Sequence, residues 1–299
     1  MNNFRHTTFV ALFLFLGSSR VFAGFPPNNL HLQDRSDLAS NVNETQFNQV
    51  IDAVINIWKP LAQLHGATLT ANKMWNDPTV NASANESGNQ WTVNLYGGLA
   101  RRPEITLDGF ALAICHEVGH LFGGYYFFPG DNLSVEGQAD YFAGEVCIKK
   151  VFATFPQRNP LFRSAVPAVV KAKCDSTWKA TPQQDLCYRS AAAGFSLATL
   201  LSTIGSGPKP SFMTPDRTQV PQTFTDHPAA QCRLDTYFAG AVCNAPWDPK
   251  VIPGLGLPTG NNSVDAEAAA YKVSCSGQSI GARPACWFHS QATAQLFRR

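Results

Sequence analysis

The chain has 299 residues, 44% of them apolar, and carries 23 basic against 21 acidic side chains for a formal net charge of +2. That near-neutral balance argues against a nucleic-acid or anionic-membrane partner, and the apolar content is enough for one sizeable core, with or without an appendage. No internal repeat or low-complexity tract interrupts it.

Residues 1–23 read as a secretory signal peptide. Arg5 lies in a short polar start, Phe9 to Gly17 is apolar, and Val21-Phe22-Ala23 is a small-residue cleavage site. The apolar run is about half the roughly 18 residues that a membrane span requires. Removing it takes away Arg5 and Arg20 and no acid, leaving 21 basic and 21 acidic residues. No later stretch is long and apolar enough to span a bilayer, so the expectation is a periplasmic or extracellular protein with no integral membrane segment. All eight cysteines follow the leader and none forms a CxxC pair, which favours disulfides.

Gly24 to Asn41 is a polar, proline-containing lead-in. Phe47, Val50, Ile51, Val54, Ile55, Trp58 and Leu61 then recur at helical spacing, predicting a core-packing helix bent at Pro60 and ended near Gly66. Thr68 to Trp75 reads as a strand, Thr79 to Ala84 as a second, and the alternating Trp91 to Tyr96 as a half-buried third. A small antiparallel sheet is expected from them. Thr106 can cap the next helix, which Gly123-Gly124 ends. A helix capped by Asp131 or Ser134 should run to about Phe152, followed by helical regions around Phe162 to Lys173 and Pro182 to Ile204. A Pro/Ser/Thr-rich loop spans Gly205 to Gln222, and Thr225-Asp226-His227-Pro228 opens another helix with proline in its first turn. That helix, Pro228 to Ala241, sets Cys232 and Cys243 about 16 Å apart, beyond bridging reach, so they need other partners. Cys174 with Cys187 and Cys275 with Cys286 are candidate local pairs. The expected organisation is α+β and mostly α: a domain over 24–243, then a Pro/Gly-rich, cysteine-containing wrap over 244–299.

The chemistry concentrates between Ile114 and Tyr141. His116-Glu117-Val118-Gly119-His120 is an HExxH motif; four residues of helix place both imidazoles on one face, within reach of one Zn²⁺, with Glu117 beside the open coordination position. Glu136, on the following helix, is the candidate third ligand, and Asp140 four residues later can orient a ligand histidine. The plainer account is a helix with two histidines on a solvated face and two acids complementing a helix N-terminus. Against it, the motif helix is otherwise apolar, where unpaired imidazoles and a carboxylate are expensive to desolvate.

The ordered set HExxH, Glu136-Gly137-Gln138-Ala139-Asp140 and His227-Pro228 followed by Arg233 resembles the gluzincin metallopeptidases of the HtpX, CAAX-prenyl-protease and mitochondrial Oma type. Asn81-Ala82 and Gly97-Gly98-Leu99 resemble the edge strand and turn of that family. The likeness covers about Thr68 to Phe152 and Thr225 to Asp235. It implies a zincin-like fold, one Zn²⁺ per chain on His116, His120 and Glu136, Glu117 as general base, Asp140 supporting a histidine, and His227 stabilising the transition state. Arg233 would help hold the site; a salt bridge to a nearby acid and a substrate contact are both open to it. The spanning helices of integral-membrane members are missing from this sequence, so an exported relative is implied and a prenylated substrate is not.

The function expected is an exported zinc endopeptidase that hydrolyses peptide bonds with metal-activated water. Asn81, Ala82, Ser83 and Ala84 would receive an extended protein or peptide substrate by strand addition. The competing reading is a non-catalytic zinc-containing peptide-binding or envelope assembly factor, against which the intact Glu117 argues.

Overall fold

A computed structural model describes residues 23–33 and 42–291. Apart from Ala23, the signal-peptide reading therefore lies outside the described residues. In chain order the elements are strand β1 (Ala23–Gly24), helix α1 (Glu44–Gln63), strands β2 (Thr68–Met74), β3 (Ala82–Ser87) and β4 (Gln90–Tyr96), the short α2 (Gly97–Ala100) and the motif helix α3 (Leu107–Phe122). Helix α4 (Glu136–Phe142) continues through a π turn (Ala143–Cys147) into α5 (Ile148–Ala153). A 3-10 segment (Pro156–Ser164), α6 (Ala168–Thr177), α7 (Thr181–Ile204), α8 (Ala230–Ala241) and α9 (Val264–Tyr271) complete an α+β fold dominated by helix.

Helix α1 forms where Asn43 and Gln46 cap each other reciprocally, and it buries Phe47, Ile51, Val54, Ile55 and Trp58. It runs through Pro60, and Gly66 ends the following turn with φ of 71°. Helix α3 is different in kind, because every residue from Asp108 to Phe122 is buried. A helix enclosed on all sides belongs to the middle of a core, and α3 packs against the sheet, α1, α4 and α7.

The sheet is mixed, which corrects the antiparallel expectation. Its order is β1-β3-β4-β2, with β4 antiparallel to β3 but parallel to β2. Alternation in Trp91, Val93 and Leu95 settles which face is buried and leaves the choice of partner open. The seven residues from Trp75 to Asn81 can step across one intervening strand, roughly 10 Å, and the hairpin partner β4 fills that place.

Three other expectations are corrected. Neither Asp131 nor Ser134 caps α4: Val135 occupies the cap position, Ser134 Oγ donates to the Gly124 carbonyl at 2.8 Å, and Asp131 accepts from the amides of Asn132 and Leu133 in its own turn. The helix after the His-Pro pair begins at Ala230, so Pro228 precedes it. Helical structure over 162–173 divides into the 3-10 segment and α6, with Pro167 between them at the cap of α6.

Four disulfides link Cys115–Cys147, Cys174–Cys187, Cys232–Cys286 and Cys243–Cys275. Cys232 and Cys243 are separately partnered, as the length of α8 demands, and Cys174–Cys187 is the local pair. Cys275–Cys286 does not form, because the tail runs back along α8 and is bonded at both ends of that helix. Trp287 in the tail is fully buried against Gly137, and Cys286, Trp287 and Phe288 join the same core as the sheet and α3. Among the described residues no helix is long and apolar enough to cross a membrane.

Candidate metal centre

Thr106 accepts the Gly109 amide at 3.0 Å and starts α3, so the i, i+4 spacing of His116 and His120 carries both rings to one face, Nε2 to Nε2 at 3.1 Å. The first residue of α4, Glu136, meets them with Oε2 3.2 Å from His116 Nε2 and Oε1 3.6 Å from His120 Nε2. One ligating atom from each of the three lies within 4.8 Å of the others, so His116, His120 and Glu136 could hold a metal ion. The approach of α4 depends on Gly119, since a Cβ there would stand 2.5 Å from the Ala139 carbonyl oxygen. Gly119→Ala is therefore expected to push the helices apart, destabilising the fold by roughly 1–3 kcal/mol and weakening metal binding at least tenfold. A denaturant titration and a competition titration with a chromogenic chelator check both effects.

The outer nitrogen of each ring is engaged. His116 Nδ1 donates to Asp140 Oδ1 at 2.7 Å, and His120 Nδ1 donates to the Ser134 carbonyl at 2.7 Å. In the neutral tautomers so fixed, both Nε2 atoms present lone pairs to each other and to a carboxylate. Such a set repels itself unless a cation or protons sit among it. The oxygens of Glu117 and Glu136 are moreover fully buried without a hydrogen-bond partner. A dication on two nitrogens and one oxygen relieves both problems, so the residues present fit a metal.

Without a metal, burial works against a charged His116, but the Asp140 carboxylate outweighs it and raises the ring to about 9, so a proton on Nε2 stands where a dication would bind. For His120 burial prevails and lowers the ring to about 4. Burial also pushes the Glu117 carboxyl up to about 8. Asp140 stays below the usual carboxylate range despite burial, because Arg233 and His116 face it.

Arg233 comes from α8 and is 1% exposed; its Nε and Nη2 each donate to Asp140 at 2.7 Å, and Nη2 also donates to the Tyr237 hydroxyl at 3.3 Å. Of the two roles open to it in the sequence, the guanidinium is committed to the acid. His227 lies just before α8, with Nδ1 2.8 Å from Asp226 Oδ1 and Nε2 3.3 Å from Glu136 Oε1. Its Nε2 donates to the Gly24 carbonyl at 2.7 Å. Asn81 to Ala84 do not form a free edge, because β1 pairs along β3 with Ala23 opposite Ala84 and Gly24 opposite Ser83.

Several site residues were not singled out in the sequence. The Ser134 carbonyl is a backbone atom with no signature in residue type. Tyr237, at i+4 from Arg233 on α8, was accessible to a helical-spacing argument. Phe25, edge-on to His116 with ring centroids 6.4 Å apart, and Phe128, stacked on His120 at 6.1 Å, close the apolar sides. Elsewhere, Asp216, Cys232 and Cys286 approach one another as a metal group might, but the two sulfurs are bonded together. A cavity of about 520 Å³ lies around Asp108 and Arg189, which are already paired at 2.7 Å.

Compared with known proteins, the chain matches no protein-family model, no curated protein and no solved structure.

Proposed function

We infer that the chain is an exported zinc-dependent endopeptidase with a zincin-like arrangement. The observation that carries this reading is the pair of imidazoles anchored through Nδ1, presenting Nε2 beside Glu136 with Glu117 buried and unpartnered next to them. Two nitrogens and one carboxylate oxygen suit zinc, whose catalytic sites combine three protein ligands with one exchangeable position. Four disulfides support an oxidising compartment.

His116, His120 and Glu136 would hold the ion, and a bound zinc supplies Lewis acidity towards a peptide carbonyl and towards water. Glu117 has no competing hydrogen bond, so its carboxylate is free to take a proton from attacking water and hand it to the leaving amine. His227 would donate through Nε2 to the carbonyl oxygen as negative charge develops on it, the contact it already makes with Gly24. Asp226 Oδ1 holds the residue in place by accepting the His227 backbone amide at 2.7 Å, and it lies 2.8 Å from Nδ1. Asp140, clamped by Arg233, keeps the His116 tautomer that leaves Nε2 free for the metal.

The direct test is metal analysis of the purified protein with a casein or peptide-library assay. About one zinc per chain is expected, with cleavage falling to background on chelation and returning with one equivalent of zinc. Cleavage indifferent to chelator would sink the assignment.

A further inference from the structure

The strand facing the candidate centre belongs to the chain itself. Ala23 and Gly24 pair antiparallel with β3, the Phe25 amide donates to the Ala82 carbonyl at 3.3 Å and to Asn81 Oδ1 at 3.2 Å, and His227 donates to the Gly24 carbonyl at 2.7 Å. The same His227 nitrogen lies 3.3 Å from Glu136, so a single imidazole links the Gly24 carbonyl to the metal-holding group. Phe25 is 4% exposed with its ring against His116, and Pro26 continues along the wall of a cavity of about 260 Å³ bounded by His227, Pro228 and Leu201.

We propose that Ala23-Gly24-Phe25 is an intramolecular occupant of the peptide groove, and that the groove takes extended peptides with glycine at the carbonyl held by His227 and an aromatic residue directly after it. The proposal rests on the peptidase reading for the fate of the bound peptide, but binding itself is independent of turnover. The glycine requirement is steric: a Cβ at position 24 would lie 2.7 Å from the Ala82 carbonyl oxygen and 3.2 Å from Ser83 Cβ, both fixed in β3. The aromatic requirement follows from the enclosure of Phe25, whose burial removes a large apolar surface from water. Main-chain pairing to β3 supplies the rest of the recognition and is indifferent to sequence. The contacts of the Gly24 carbonyl and the Phe25 amide both lie beyond Ala23, so removal of a leader ending there leaves them in place. An incoming peptide must therefore displace the chain's own segment, which makes the resting protein latent.

The test uses the full chain stripped of metal by chelation, so that no readout depends on catalysis. A fluorescein-labelled Ala-Gly-Phe-Pro-Pro-Asn peptide, copying residues 23–28, is titrated by fluorescence anisotropy against the unsubstituted chain, Gly24→Val and Phe25→Ala. The variants, whose own segment no longer fits, should bind at least tenfold more tightly than the unsubstituted chain. A peptide with valine in place of glycine should bind at least tenfold more weakly to all three. Equal affinity for the unsubstituted chain and both folded variants would overturn self-occupancy; equal affinity for the two peptides would overturn the glycine requirement. If the variants do not fold, excess peptide added to the unsubstituted chain should raise deuterium uptake across residues 23–30, and unchanged uptake overturns the proposal. After zinc is restored, tight binding without cleavage removes the peptidase reading and leaves the occupant standing. Cleavage at one rate by all three proteins does the reverse.

Discussion

Glu117→Gln is expected to lower kcat on a peptide substrate by about 10²- to 10⁴-fold, the usual contribution of a positioned general base, while zinc content and thermal stability stay at their original level or rise. The direction of the stability effect follows from the environment. Glu117 is fully buried, both its oxygens lack a partner, and burial already pushes its carboxyl up to about 8. Exchanging that carboxyl for an amide of equal size removes the cost of ionising a buried group and breaks no salt bridge. A merely structural glutamate gives the opposite pattern, with retained turnover and lost stability. Measuring kcat, bound zinc and the denaturation midpoint on one preparation separates the two. Undiminished turnover would remove the proposed proton carrier.

The legibility of this site in the sequence follows the range of the interactions that build it. His116, Glu117 and His120 lie within one helix turn, where i, i+4 geometry fixes relative position without knowledge of the fold. Glu136 and Asp140 share the same local rule on α4, and the structure brings them to the histidines because Gly119 allows the two helices to touch. Strand partnership is another matter. The alternating Trp91, Val93 and Leu95 declare a buried face, yet β2 pairs parallel with β4 because the connection from Trp75 to Asn81 passes over it, a choice no periodicity records. The cysteines divide in the same way. Cys174–Cys187 spans 13 residues and was visible, whereas Cys232–Cys286 spans 54 and depends on the path of the tail along α8. The two-residue strand β1 carries no pattern at all. Its place is set by the backbone of β3 and by His227, a residue 203 positions away from Gly24.

Arg233→Met is expected to destabilise the fold by about 3–5 kcal/mol, the typical loss when one partner of a buried ion pair is removed. Three carboxylates, Glu117, Glu136 and Asp140, lie at 0 to 1% exposure around the histidines, and Arg233 is the guanidinium set among them. Arg233 is the cation that faces the Glu136 and Asp140 carboxylates, and removing it leaves Asp140 buried with only His116 and the Tyr237 hydroxyl beside it. Methionine matches the length of the lost side chain, so most of the effect is electrostatic rather than a cavity. The charge account makes a further demand. In Asp140→Asn, Oδ1 still accepts from His116 Nδ1, so the tautomer that presents Nε2 survives, and the double variant Asp140→Asn with Arg233→Met no longer buries an unmatched carboxylate. The double variant should therefore be more stable than Arg233→Met alone, a coupling that a double-mutant cycle in denaturant reads directly. Additive losses would mean that Arg233 acts through packing between α8 and α4, and charge would cease to explain why a guanidinium is buried beside the candidate metal centre.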